Sequence, residues 1–175
     1  MMKVALIVLA VLVAFFGFVM TRKGEFRYER SGLINASAEK LFPYISDFKK
    51  GTLWNPYDQR DPNMKRTYSG PDAQVGSIVE FEGNRQSGSG KIEILRIVPN
   101  QLVELKLTMT KPFHAENLVR YRLTPEGSQT RFSWEMEGNG GFIGKMFTLF
   151  VDCEKMVAGD FEKGISNLKS VAEKM

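Results

Sequence analysis

LVELKLTMTKPFHAENLVRYRLTPEGSQTRFSWEMEGN, residues 102–139, decides the fold. Its apolar residues recur every second position. Val103, Leu105, Leu107 and Met109 face one way, and Glu104, Lys106 and Thr108 the other. Ala115, Asn117, Val119, Tyr121 and Leu123 oppose His114, Glu116, Arg120 and Arg122. Phe132, Trp134 and Met136 oppose Arg131, Ser133, Glu135 and Glu137. A period of two with one apolar and one charged face marks strands that are buried on one side only. Lys111-Pro112 and Pro125-Glu126-Gly127 interrupt the runs with turn residues. The pattern predicts three adjacent antiparallel strands at 102–109, 114–123 and 130–137.

Working toward the N-terminus, further strand-like runs lie at 64–69, 77–82 and 91–98, bounded by Gly70-Pro71, Gly83-Asn84 and Pro99-Asn100. Residues 25–34 alternate as well and predict an opening strand. Between that strand and the next, Ser37 is a candidate N-cap, followed by a helical stripe of Leu41, Phe42, Ile45 and Phe48. Pro43 fits such a helix poorly unless it sits in the first turns. Toward the C-terminus the period becomes helical after Gly138-Asn139-Gly140-Gly141. Met146, Phe150, Cys153, Val157, Phe161, Leu168, Val171 and Met175 form one stripe. This predicts one long helix from Lys145 to the end, bent where Gly159 and Gly164 interrupt it. Its apolar stripe must pack on the sheet, the one large apolar surface available.

The first residues differ in character. Residues 4–21, VALIVLAVLVAFFGFVMT, carry no charge and are bracketed by Lys3 and Arg22-Lys23. As a helix they would rise about 27 Å, close to the roughly 30 Å of a bilayer's hydrocarbon. A cleaved signal peptide is the rival reading, but the run is long for one and no small-x-small site follows. A buried core helix would need a polar face somewhere, and none is present. Residues 1–24 are therefore expected to be an uncleaved membrane anchor and residues 25–175 the folded domain. Arg22, Lys23, Arg27 and Arg30 lean the domain toward the cytoplasmic side, although a basic start followed by an apolar run also resembles an exporting anchor.

Composition narrows function. The chain has 175 residues, 43% hydrophobic and 25% charged, which suffices for one domain with a substantial core. The net charge of +4 is concentrated at the N-terminus. Without Lys3, Arg22 and Lys23, residues 25–175 hold 21 basic and 20 acidic side chains. A near-neutral domain lacks the basic face that nucleic-acid binding requires, so no nucleic-acid partner is expected. The single cysteine, Cys153, excludes an internal disulfide. With His114 as the single histidine, metal sites built on paired histidines or cysteines are excluded, and a Ser-His-Asp triad is disfavoured. By alternation His114 sits on the charged face, and Cys153 on the helix stripe reads as an inert thiol. Asp58 and Asp61 follow Trp54 as loop acids.

The order of these pieces resembles the helix-grip fold of the START-like (SRPBCC) superfamily. The chain is similar to the polyketide cyclase/dehydrase and lipid-transport family in particular, within its membrane-anchored bacterial members. The resemblance is carried by "ASAEKLFPYISDFKKGTLWNPY", "NMKRTYSGPDAQVGSIVEFEGN", "GSGKIEILRIVPNQLVELKLTMTKPF", "YRLTPEGSQTRFSWEMEGNGGFIGKMF" and "DFEKGISNLKSVAEKM". Phe81 stands where such relatives often carry tryptophan. The resemblance implies an α+β domain: a curved antiparallel sheet of about seven strands around a long C-terminal helix, preceded here by a transmembrane helix. It implies a single-pass protein of the bacterial inner membrane.

The resemblance also implies a cavity between sheet and helix. Trp54, Tyr57, Phe81, Leu105, Leu107, Met109, Asn117, Tyr121, Trp134, Met136, Met146, Phe150 and Phe161 are its expected lining. The expected partners are a hydrophobic or lipid-like small molecule and, through the N-terminal helix, the membrane; a monomer is expected. The family has no universal catalytic residues, so no catalytic residue, metal or cofactor is carried over. Two further functions remain open. A cyclase/dehydratase-type enzyme would need an acid or base inside the cavity. A protein-interaction domain of the co-chaperone kind would need an exposed apolar patch.

Overall fold

A computed structural model describes residues 2–147, 149 and 152–174. The element order is α1 (Met2–Met20), β1 (Glu25–Ile34), α2 (Ala38–Ser46), α3 (Phe48–Gly51), α4 (Pro56–Arg60), β2 (Lys65–Ser69) and β3 (Ile78–Glu82). There follow β4 (Ser89–Val98), β5 (Leu102–Lys111), β6 (Ala115–Glu126), β7 (Gln129–Asn139), α5 (Gly141–Phe147) and α6 (Cys153–Ala172). The seven strands form one antiparallel sheet in the order β1-β7-β6-β5-β4-β3-β2. Strands β2 to β7 are a meander, and β1 closes on β7. This is the α+β helix-grip arrangement.

The register follows the alternation read from the sequence. Val103 pairs with Tyr121 and Tyr121 with Trp134, so three inward residues lie in one row across β5, β6 and β7. That face is packed by α6: Val157, Phe161, Ile165 and Leu168 are buried against it. Two glycines permit the close crossing. A Cβ on Gly164 would lie 2.5 Å from the Trp134 ring, and one on Gly32 would lie 2.6 Å from Ile165. Gly164 therefore serves helix-to-sheet contact rather than a bend, and α6 runs through it unbroken.

The expected single helix from Lys145 onward is instead two, α5 and α6. Asp152 starts the second: its carboxylate accepts from the Lys155 backbone N–H at 3.0 Å, as an N-cap does. Ser37 caps α2 as expected, accepting from Lys40 N–H at 3.4 Å. Pro43 lies inside α2. Phe48, read as the end of the α2 stripe, opens α3 after Asp47 caps it with two backbone N–H contacts.

The outer face of the sheet carries a charged lattice. Arg120 donates to Glu104 at 2.8 Å, Glu135 at 2.6 Å and Glu137 at 2.9 Å. Glu135 also accepts from Arg27 at 3.0 Å and is only 3% exposed. A carboxylate on the face read as wet is thus nearly as buried as the core, which is tolerable because two guanidiniums hold it.

The N-terminal expectation is corrected. Among the described residues, no helix is long and apolar enough to cross a membrane. The anchor over 1–24 and the inner-membrane placement fall with that finding. The physical reason lies in the end of α1. Phe16 stacks on Phe142 of α5 with centroids 5.6 Å apart, Val19 is fully buried, and Lys145 Nζ donates to the Met20 carbonyl at 3.3 Å. Phe18 and Met20 stay exposed beside these contacts.

Candidate functional site

A cavity of about 370 Å3 lies between the inner face of the sheet and α6. That is within the range of small-molecule pockets. Its floor is the inward row of the meander: Leu105, Leu107 and Met109 from β5, Asn117, Val119 and Tyr121 from β6, Trp134 and Met136 from β7. Ile92, Val79 and Phe81 extend the floor across β4 and β3. Met156, Val157, Asp160 and Phe161 come from α6, and Trp54, Tyr57, Asp58 and Arg60 from the segment around α4. The lining residues exposed to solvent, Arg60, Tyr68, Gln86 and Met156, mark the mouth.

Of the expected lining, Trp54, Tyr57, Phe81, Leu105, Leu107, Met109, Asn117, Tyr121, Trp134, Met136 and Phe161 all border this space. Met146 does not. It lies in α5, the short helix that meets α1, because the expected continuous helix is broken before α6. Phe150 lies outside the described residues. His114 is exposed, and Cys153 is half-buried with its thiol pushed up by burial and by the neighbouring Asp152, which keeps it from being a reactive thiolate.

One end of the cavity is an aromatic wall. Trp54 is 1% exposed and meets Tyr121, Phe132 and Trp134 edge to face at 5.4–5.6 Å between centroids. Its indole N–H donates to the Tyr44 carbonyl at 2.7 Å. Trp134 stacks on Phe161 at 4.3 Å, joining β7 to α6. Such pairs add stabilisation beyond their buried area.

The polar groups are few and divide into two kinds. Four of the charged ones form two ion pairs, and Asp47 accepts from the Lys49 and Lys50 backbone N–H groups. Arg66 Nε donates to Asp58 Oδ1 at 2.8 Å, and its other nitrogens reach the Met64 and Asp58 carbonyls. Arg60 donates to Asp160 at 2.5 Å, spanning from α4 to α6. Burial raises the Asp58 carboxyl above the ordinary carboxylate range, and Arg66 offsets only part of that. Burial likewise raises the phenols of Tyr57 and Tyr121. Neutral groups are the second kind. Asn117 Oδ1 is buried and has no hydrogen-bond partner among the described residues, and the same holds for Ser87 Oγ.

Sequence reasoning found Asn117 and Tyr121 but missed Arg66, Arg60, Asp160 and Ser87. A signal for Arg66 existed. Met64, Arg66 and Tyr68 alternate with Lys65 and Thr67, which puts the arginine on the inward side of a short strand. Asp61, read as a second loop acid beside Asp58, is not among the lining residues. Its Oδ2 accepts from the Asn84 backbone N–H at 2.6 Å and ties the α4–β2 loop to the β3–β4 turn.

Comparison with known proteins adds an independent line. Residues 25–173 match the family described as polyketide cyclase/dehydrase and lipid transport. No curated protein matches. Among solved structures, the chain is similar to the SA2116 protein of Staphylococcus aureus, with a TM-score of 0.64 at 12% identity, covering 86% of this chain and 94% of that one. It is also similar to the Aha1 dimer of Colwellia psychrerythraea, with a TM-score of 0.59 at 18% identity over 85% and 96% of the two chains. A third match is MLL2253 of Mesorhizobium loti, with a TM-score of 0.59 at 18% identity over 83% and 98%. At these identities the structural matches establish the fold alone.

Proposed function

This chain belongs to the polyketide cyclase/dehydrase and lipid-transport family, and we propose that its cavity takes up a hydrophobic or amphipathic small molecule. The observation that carries this reading is the open-mouthed cavity of about 370 Å3 between sheet and helix, walled by Leu, Met, Phe, Trp and Tyr side chains together with polar and charged ones. The methionines suit the role, since Met109, Met136 and Met156 can adapt to irregular apolar guests.

The test is a fluorescent apolar probe titrated into the full chain. It should bind at about one site per molecule. A bound ligand at a hundred times its dissociation constant raises stability by about 2.7 kcal/mol. Leu107 lines the floor at half-burial, so Leu107→Trp should fill free space, weaken the probe and cost less than about 1 kcal/mol of stability. A packed core gives the opposite result: no probe binding, and overpacking that costs roughly 1–3 kcal/mol. That pair of results would overturn the cavity reading.

A further inference from the structure

The inner face of the meander shows where the cavity ends. Along β6, Asn117, Val119 and Tyr121 line the space, and the next inward residue, Leu123, does not. Leu123 is buried, and so is Val103, which pairs with Tyr121 on β5 and is also outside the lining. Tyr121 therefore stands at the closed end. Its ring is held there by Trp54 at 5.5 Å, Trp134 at 5.4 Å and Phe132 at 5.8 Å between centroids. At the other end Met109 pairs with Gly90, and the turn before that glycine carries Gln86 at the mouth. From Tyr121 back to Asn117 the strand advances four residues, about 13 Å of floor.

The Tyr121 hydroxyl is unspent. The residue is 7% exposed, and its hydroxyl has no hydrogen-bond partner among the described residues. The partnerless side-chain oxygens that packing closes off completely are Ser87 Oγ, Thr108 Oγ1 and Asn117 Oδ1. The Tyr121 hydroxyl is not one of them, so it meets open space, and the space it borders is the cavity. Burial raises the phenol, with Asp58 and Tyr57 adding to the effect, so its proton stays in place at neutral pH. The cations lie elsewhere or are engaged. Arg66 is held by Asp58 and by the Met64 and Asp58 carbonyls; Arg60, which spends one donor on Asp160, stands at the mouth. A buried donor without a partner carries a desolvation cost that an acceptor brought by the ligand recovers.

We infer that the cavity takes its ligand head first: a carbonyl oxygen accepts from the Tyr121 hydroxyl at the closed end, and an apolar body lies along the floor toward the mouth. The inference rests on the cavity reading above. The ligand class is a ketone, ester or quinone on an apolar skeleton. A carbonyl fits better than an alcohol, because it asks only for a donor. An alcohol brings a proton of its own, for which the rings of Trp54, Phe132 and Trp134 offer no acceptor.

Acetylnaphthalene and isopropylnaphthalene test this, since they differ by a carbonyl oxygen in place of a methyl group. Each competes at neutral pH with a bound fluorescent apolar dye on the full chain, in wild type and in Tyr121→Phe. Comparing the ratio of the two affinities between the two proteins cancels the probes' unequal hydrophobicity. The ratio of acetyl- to isopropylnaphthalene affinity should be about fivefold higher in wild type, the worth of one hydrogen bond. The infrared carbonyl stretch of bound acetylnaphthalene should lie at lower wavenumber in wild type than in Tyr121→Phe or in cyclohexane. Without ligand, Tyr121→Phe should melt at or above the wild-type Tm, because it loses only an unpaired hydroxyl. Equal ratios in the two proteins, a carbonyl stretch in wild type matching that in cyclohexane, or a clearly lower Tm for Tyr121→Phe each overturn the inference. A ratio that survives Tyr121→Phe and falls in Arg60→Met puts the acceptor at the mouth and overturns it too. All of these leave the cavity reading intact. If the dye and both probes fail to bind wild type, the cavity reading falls and takes the inference with it.

Discussion

Trp54→Ala tests the aromatic wall on which the cavity depends. The wild-type indole is 1% exposed, touches three aromatic rings at 5.4–5.6 Å and donates a hydrogen bond of 2.7 Å to the Tyr44 carbonyl. Truncation removes a whole buried ring, for which large-to-small changes cost about 3–5 kcal/mol. The lost hydrogen bond pushes the value to the upper part of that range, because the Tyr44 carbonyl loses its donor. For a chain of this length each kcal/mol moves the midpoint by about 2–4 °C, so Tm should fall by roughly 6–20 °C. Thermal unfolding followed by circular dichroism reads this directly. Trp54→Phe separates the contributions. It keeps one ring in the wall and loses the N–H, so its cost should lie near the single-group penalty of about 1–3 kcal/mol. A midpoint within about 2 °C of wild type for Trp54→Ala would refute the wall, since a shift that small means less than ~1 kcal/mol. Equal losses in both variants would instead place nearly all the effect in the hydrogen bond.

The outer face and the cavity acid give two further outcomes. Arg120→Ala leaves Glu104, Glu135 and Glu137 facing one another, with Glu135 almost fully buried, and should cost about 3 kcal/mol in urea unfolding; Arg120→Ala combined with Glu135→Leu should recover a large part of that loss. The Asp58 carboxyl is raised in the folded state, so the unfolded chain releases its proton first and stability falls as pH rises from about 3.9 through the folded value. The stability deficit of Asp58→Asn relative to wild type should therefore narrow as pH is raised across that window; a deficit that widens refutes the sign.

The sheet was legible where its two faces differ most. From Val103 to Met136 one side of each strand is apolar and the other charged, and a one-residue slip would exchange them, so pattern alone told the inner face from the outer, while the lining was implied by the family resemblance. Short strands are a harder case. β2 offers five residues, too few for Arg66 to stand out as an inward cation, and its partner Asp58 comes from a helix of five residues. Ser87 sits in a turn, where no periodicity points anywhere. The helical stripe misled in a different way. Apolar residues continue across 146–150 at helical spacing, yet Asp152 caps a new helix, so the real signal was one capping side chain inside a periodic run. For the N-terminal apolar run, hydropathy reports composition and not contacts: Val19 is buried and Phe16 stacks on Phe142 of α5.

The same division explains why specificity was the least legible property. Apolar lining is redundant, since Leu107 or Met109 could be exchanged for other apolar residues with the cavity preserved. Charged groups look decisive in a sequence, but in this cavity they hold α4 to α6 and to β2. Neutral groups are harder to read still: Asn117 sits opposite Gly138 on the neighbouring strand. Alternation placed Asn117 on the inner face, but only the packed structure shows that its Oδ1 lies over Gly138 with no hydrogen-bond partner among the described residues.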